Sequence, residues 1–332
     1  MNRAIFCLLL VTVSAVWAQS GGAGAILPVQ RLMVRQKYPE ATAQAKAILS
    51  KDPHNIDAIY MLAAIEQMRI MDYESYTIDG RKFLVLADSL LKMLEARQPH
   101  LTGADSLRGL FYRANIVGGM GLVQAKRGAW FEGARTAMTS AGLYRQIKKI
   151  DPGHKGADFG LGVYDYYVGT TLRWVPFVAS GNAERGLEAL ERAINAPFPF
   201  NHAAKNSLCW ILIDRREFRR ADSLAQAALQ EAFGSTIFLR IRALANLLMK
   251  NYEEALRIGS ELAAASEARS PVNWSDLMMG YYITASAYDN AGRQPEARAT
   301  ADKALAVPVP ETYKSIPHVR EHIRNLMGIR GR

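Results

Sequence analysis

The chain is poor in cysteine: its 332 residues contain only Cys7 and Cys209. Cys7 sits inside an N-terminal apolar run, so a chain cut after that run keeps one thiol and cannot close an internal disulfide. A small cross-linked secreted fold is thereby excluded. The apolar run itself, Ala4 to Val16, is thirteen residues. That is roughly 20 Å as a helix against a hydrocarbon core of roughly 30 Å, too short for a membrane anchor. Histidine is scarce, with six residues, and no two of His54, His100, His154 and His202 share a ligand spacing. Gly160-Leu161-Gly162 is too short for a dinucleotide fingerprint and no strand precedes it. No acid lies in an apolar setting that would mark a general acid or base. The formal charge is +10, yet the basic residues are mixed with acids along helices and no nucleic-acid motif accompanies them, so no nucleic-acid partner is expected.

What the N-terminus does contain is a sorting pattern. Met1-Asn2-Arg3 precedes the apolar run, and Val16-Trp17-Ala18 follows it. Those three regions are expected to form a signal peptide cut after Ala18, which makes the protein exported, with a bacterial periplasm as its compartment. Cys7 is too early in the run for lipidation, and loss of Arg3 lowers the charge to +9.

The rest of the chain repeats itself. Phe218, Ala221, Ala225 and Ala228 return after 34 residues as Tyr252, Ala255, Gly259 and Leu262, and after an eight-residue insertion as Gln294, Ala297, Ala301 and Ala304. An aromatic opening a helix, followed by small residues that let it lie against a partner, describes stacked helical hairpins. Step, residue order and hairpin length resemble tetratricopeptide repeats (TPRs). The resemblance implies an all-α, right-handed solenoid of stacked antiparallel helical hairpins with an elongated irregular central section. The divisions are a signal peptide at 1–18, a flexible leader at 19–27, divergent hairpins at 28–182, a regular array at 183–306, and a capping helix with basic tail at 307–332.

Within the divergent part, Pro28 is expected in the first turn of a helix and Tyr38 opens the next, running to Lys51. Ser106 to Lys126 and Trp130 to Ile150 form an elongated hairpin, with Trp130 and Gly133 at the aromatic and small positions. Gly118, Gly119 and Gly121 cost about 1 kcal/mol each in a helix, which close packing would offset. The insert at 158–181 combines Phe159, Tyr164, Tyr166, Tyr167, Trp174 and Phe177 with five Gly or Pro residues. It is either a broadened core or an exposed aromatic patch centred on Trp174 and Phe177 for a partner or membrane surface. From Asp158 to Ala193 it faintly resembles TPR proteins related to the yeast inclusion-body clearance protein. A last helix is expected over Thr312 to Met327, covering the open end of the stack.

In TPR arrays the first helix of each hairpin lines a groove. Carrying that register over places Asn206, Trp210, Arg240, Leu244, Tyr282, Ser286 and Asp289 along one face, with Ile213 and Leu247 beside them. Such a face suits an extended peptide or a partner helix, unless Trp210 and Leu244 simply complete the inter-helix core. The Lys and Asn arrangement that grips a terminal carboxylate in chaperone-binding repeats is absent. His318-Val319-Arg320-Glu321-His322 has the spacing of inverted zinc peptidases, but only ten residues follow it to supply a third ligand. Cys209 falls where a small packed residue is needed. The expectation is therefore a non-catalytic scaffold, without cofactor or metal, that binds an unidentified protein or peptide, with a membrane surface as the alternative partner and zinc hydrolysis as a remote one.

Overall fold

The computed structural model describes residues 23–171, 182–195, 200–232 and 234–332. These residues form seven helical hairpins and a terminal cap, with no strand among them. The hairpins are α1 (Ala23–Val34) with α2 (Tyr38–Lys51), α3 (Ile56–Asp72) with α4 (Tyr76–Arg97), and α5 (Gly103–Lys126) with α6 (Trp130–Ile150). They continue with α7 (Lys155–Thr171) and α8 (Ala183–Ile194), α9 (Asn201–Asp214) and α10 (Phe218–Glu231), then α11 (Thr236–Leu248) and α12 (Tyr252–Glu267). The last pair is α13 (Trp274–Asn290) and α14 (Gln294–Leu305), followed by a short α15 (Glu311–Lys314) and the capping α16 (Pro317–Arg330). Each helix packs on its sequence neighbour, and the first helices also pack on one another, α1 on α3, α3 on α5, α9 on α11 and α11 on α13. The first helices thus form an inner layer and the second helices an outer one.

Hairpin closure is the same in six places. Gln36, Glu74, Arg216 and Lys250, and Gly128 and Gly292, all take positive φ just past the first helix. The next amide then donates back to the helix: Lys37 to Leu32 O at 2.9 Å, Glu217 to Leu212 O at 2.8 Å, Asn251 to Asn246 O at 2.9 Å, Arg293 to Tyr288 O at 2.9 Å. This satisfies carbonyls that the helix end would otherwise leave bare. Four of the six positions carry a side chain in a conformation that costs roughly 1 to 2 kcal/mol outside glycine, so the turns are held by packing of the flanking helices rather than by local preference.

Helix contact is closest where glycines cross. A Cβ on Gly121 would lie 3.0 Å from both the Gly133 oxygen and the Ala137 nitrogen, one on Gly186 2.6 Å from the Tyr166 nitrogen, and one on Gly280 2.7 Å from the Ala263 nitrogen. These crossings join α5 to α6, α7 to α8 and α12 to α13, backbone against backbone. The small residues of the repeat act alike: Ala221, Ala225, Ala228, Ala255, Ala297 and Ala301 are wholly buried.

Three local expectations shift. The first helix starts at Ala23, ahead of Pro28, which sits inside it, and Ile26 and Val29 are buried, so residues 23–27 are helical rather than leader. The end of the chain breaks into two helices, because Pro317 starts α16 afresh at its first turn. Trp130, placed at a repeat aromatic position, is instead exposed. At that crossing Gly133 and Gly121 bring the backbones together, and the ring lies a turn outside the contact.

The same substitution should have opposite signs at two helical glycines. Gly280→Ala should destabilise by about 1 to 3 kcal/mol, because its new methyl meets backbone. Gly142→Ala meets nothing within 4 Å and should gain up to about 1 kcal/mol. Urea unfolding of both variants checks the pair.

Candidate binding site: a clasp between the ends of the inner layer

The α3–α4 elbow does not face solvent. It reaches α11 and the α12–α13 connection, bringing together residues up to 201 positions apart. Its centre is Asp72, the last residue of α3, whose side chain has no exposed surface. Arg240 of α11 donates to the Asp72 carboxylate at 2.8 Å and to its main-chain carbonyl at 2.8 Å. Arg269 donates to the other carboxylate oxygen at 2.7 Å, where the Tyr38 hydroxyl also donates at 3.0 Å. Gln36 donates to Asp72 at 2.8 Å while its own oxygen accepts the Thr236 amide at 2.9 Å, completing the start of α11.

A second acid closes the cluster. Asp276, in the first turn of α13, lies 3.0 Å from Arg240 Nε and accepts from the Thr236 hydroxyl at 2.8 Å and from Asn273 at 3.1 Å. Two acids face two guanidiniums here: Asp72, Asp276 and Arg240 are buried and Arg269 stays partly exposed at the edge, so each buried group has an opposite partner beside it. The guanidinium of Arg269 lies over the Tyr73 ring at 4.6 Å, and the Tyr73 hydroxyl donates to Pro271 O at 3.0 Å. Burial, with the Asp72 charge, holds the Tyr38 phenol well above its usual range, so it stays a neutral donor. Beside the cluster opens a cleft of about 460 Å³, lined by Arg35, Lys37, Tyr73 and Arg269 among others.

The groove residues named from the register are not brought onto one open face. Arg240 is 6% exposed and is taken up by the chain's own Asp72 and Asp276. Ser286 is buried. Tyr282 stacks on His322 of the capping helix at 5.0 Å, and Asp289 accepts from Gln294 at 2.7 Å and pairs with Arg332 at 2.5 Å. These two face the cap rather than an open groove. Asn206, Trp210 and Leu244 remain half-buried on the adjacent helices α9 and α11. Trp210 packs against the core around Leu208 and Phe238, and Leu244 against the core around Ile258. The Asn206 Oδ1 is sealed without a hydrogen-bond partner among the described residues. Trp174 and Phe177 lie outside the described residues.

In the zinc-like motif, His318 and Glu321 are exposed while His322 turns in to Tyr282. Burial, then the neighbouring His318, push the His322 imidazole down to about 4. No group of three metal-ligating side chains occurs among the described residues. The Cys209 thiol is fully buried, which pushes it up to about 12 and leaves it a packing group.

The register pointed to Arg240, but not to Asp72, Asp276, Arg269, Asn273, Gln36 or Thr236, which complete the cluster. They come from the ends and connections of four hairpins far apart in sequence, and nothing local marks any of them.

The chain resembles solved structures in its fold. It superimposes on the APC/C hetero-tetramer Cut9–Hcn1 with a TM-score of 0.55 and 12% identity, over 90% of this chain and 51% of that one. The chain thus spans about half the length of that protein. It also aligns with a tetratricopeptide repeat protein from Parabacteroides merdae (TM-score 0.41, 13% identity, 92% and 98% of the chains) and with yeast Tom70 (0.42, 13%, 90% and 59%). No family model and no curated protein sequence matches the chain. The fold is a TPR solenoid of stacked helical hairpins, as the 34-residue step from Phe218 to Tyr252 implies.

Burial raises the Asp276 carboxyl, Arg240 opposes that rise, and the Asp72 carboxylate adds to it, so the group is pushed up to about 7. The unfolded value is near 3.9. The folded state therefore holds the extra proton between those values, and stability falls as pH rises through that window. Between pH 5 and 8 the parent should lose about 2 kcal/mol more than Asp276→Asn, which has no such proton. Urea midpoints of the two chains at both pH values provide the comparison.

Proposed function

We propose that this protein is a non-catalytic TPR scaffold of a bacterial envelope, exported through the segment ending at Ala18, and that it holds a protein partner on the inner layer between α9 and α11. The observation that carries this reading is the strip that the clasp leaves open. Trp210 and Ile213 on α9 and Leu244 and Leu247 on α11 are half-buried side chains on adjacent first helices, and Leu248 beside them is 42% exposed. An aromatic anchor beside aliphatic side chains fits an amphipathic helix or extended peptide that brings apolar residues. A preformed face loses little freedom on binding, because α11 is held by the clasp and α9 by its packing on α8 and α10.

The resemblance to Cut9–Hcn1 supports the fold of a scaffold and does not name a partner for this chain. Export is supported by the three-part N-terminus alone.

Site-directed photocrosslinking in the producing cell tests the reading. A photoreactive residue at Leu247 should trap a discrete protein adduct that one at Arg257, on the outer layer, does not. Trp210→Ala in the Leu247-labelled chain should lower the adduct by about tenfold. Equal trapping at both positions, or trapping indifferent to Trp210, overturns the placement. The purified mature chain should begin at Gln19; a chain retaining residues 1–18 would remove the export claim.

A further inference from the structure

The longest hairpin carries a surface that the scaffold reading does not use. Helix α6 packs chiefly on α5 and α7, and no other described element makes more than slight contact with its remaining side. At its first turn Trp130 is 64% and Phe131 89% exposed, and Met138, two turns on, is 41% exposed. Phe131, Arg135, Met138, Gly142, Arg145 and Lys149 follow one another at intervals of four and three, which is a single line along a helix. A Cβ added at Gly142 would meet nothing within 4 Å, so the middle of that line is bare. Its length is about 27 Å at the helical rise.

The charge on this line is of one sign. Arg135, Arg145 and Lys149 are exposed, and none is ion-paired with a described residue; Arg145 only leans on the Tyr164 ring at 5.5 Å. Glu132 is the single acid of the whole helix. On the flank toward α7, Lys148 pairs with Asp158, and Arg185 of α8 pairs with Asp165, while Asp151 past the helix end accepts the Gly153 amide. Adjacent aromatics that leave most of their rings in water, followed by a bare row of cations, are not what a solvated helix face needs.

We propose that this outward line of α6 seats the protein on an anionic lipid surface, with Trp130 and Phe131 entering the headgroup boundary and Arg135, Arg145 and Lys149 lying on the phosphates. The face is the outer side of an outer-layer helix, and its two most exposed rings are at one end. Aromatic rings that project together from one end of a cationic helix face can enter a bilayer boundary while the cations meet the phosphates. The cation row supplies the charge complement that one pair of rings lacks for stable attachment. This site is separate from the strip at Trp210, so either assignment can fail alone.

Flotation with vesicles is the test. The full chain and the form beginning at Gln19 are run side by side, because Ala4 to Val16 could itself enter lipid; the proposal concerns binding that persists in the shorter form. That form should float with phosphatidylcholine vesicles containing about one third phosphatidylglycerol, and about tenfold less with phosphatidylcholine alone. Trp130→Ser with Phe131→Ser should cut flotation about tenfold, as should Arg135→Glu with Arg145→Glu and Lys149→Glu. Both variants should melt with the parent, since all five side chains are exposed. Failure of the parent to float on anionic vesicles overturns the proposal and leaves an acidic protein as the occupant the face suits. Undiminished flotation of the aromatic variant overturns it equally.

Discussion

Asp72 against Arg240 is the contact on which the arrangement of this chain depends. A stack of hairpins needs only neighbour-to-neighbour contacts, and most of the packing here is of that kind. Asp72 adds a contact of another order, joining the second hairpin to the sixth, while Arg269 and Asn273 extend it to the connection before the seventh. Buried charges are costly unless each is paired and hydrogen-bonded. Here the carboxylates, the Asp72 carbonyl, Gln36, Tyr38 and Thr236 share the donors and acceptors among them. Such a cluster contributes specificity of closure more than raw stability: a slipped arrangement would leave a buried charge without its partner.

The rest of the architecture keeps that closure in register. Glycine crossings at Gly121, Gly186 and Gly280 fix how near adjacent helices can come, and the repeated left-handed turns fix how each second helix leaves the first. With spacing and turn set, the angle accumulated over the intervening hairpins returns the inner layer to its own beginning. Asp57 shows the same habit within neighbouring helices, taking Arg108 at 2.9 Å and the Tyr112 hydroxyl at 2.5 Å. The consequence for function is that part of the inner face is spent on the chain itself, and what stays open is the α9–α11 strip and the outer side of α6.

The legibility of all this in the sequence follows the range of the interactions. Ala221, Ala225 and Ala255 are readable because a small side chain every three or four positions is a local pattern with a local cause, contact with the next helix. The break at Asp151 to Gly153 and the paired helices around Gly128 are readable for the same reason. Arg240 was visible as a cation on an inner helix, but its role was inverted, since the acid that claims it stands 168 residues away. Tyr282 and Asp289 were likewise drawn inward by a terminal helix that the repeat pattern does not describe. Trp130 stays outside the helix contact because a glycine pair makes the approach that an aromatic usually makes.

The most direct measurement is a double-mutant cycle on the clasp, with Asp72→Ala, Arg240→Ala and their combination compared by urea unfolding at one pH. Each single change takes from the other charge its direct partner, leaving Arg240 with Asp276 alone or Asp72 with Arg269 alone, whereas the double change removes both. The double variant should therefore be more stable than the sum of the singles predicts, by about 2 to 3 kcal/mol. Additivity within about 0.5 kcal/mol would mean that Asp72 and Arg240 do not hold one another and that this contact does not close the solenoid.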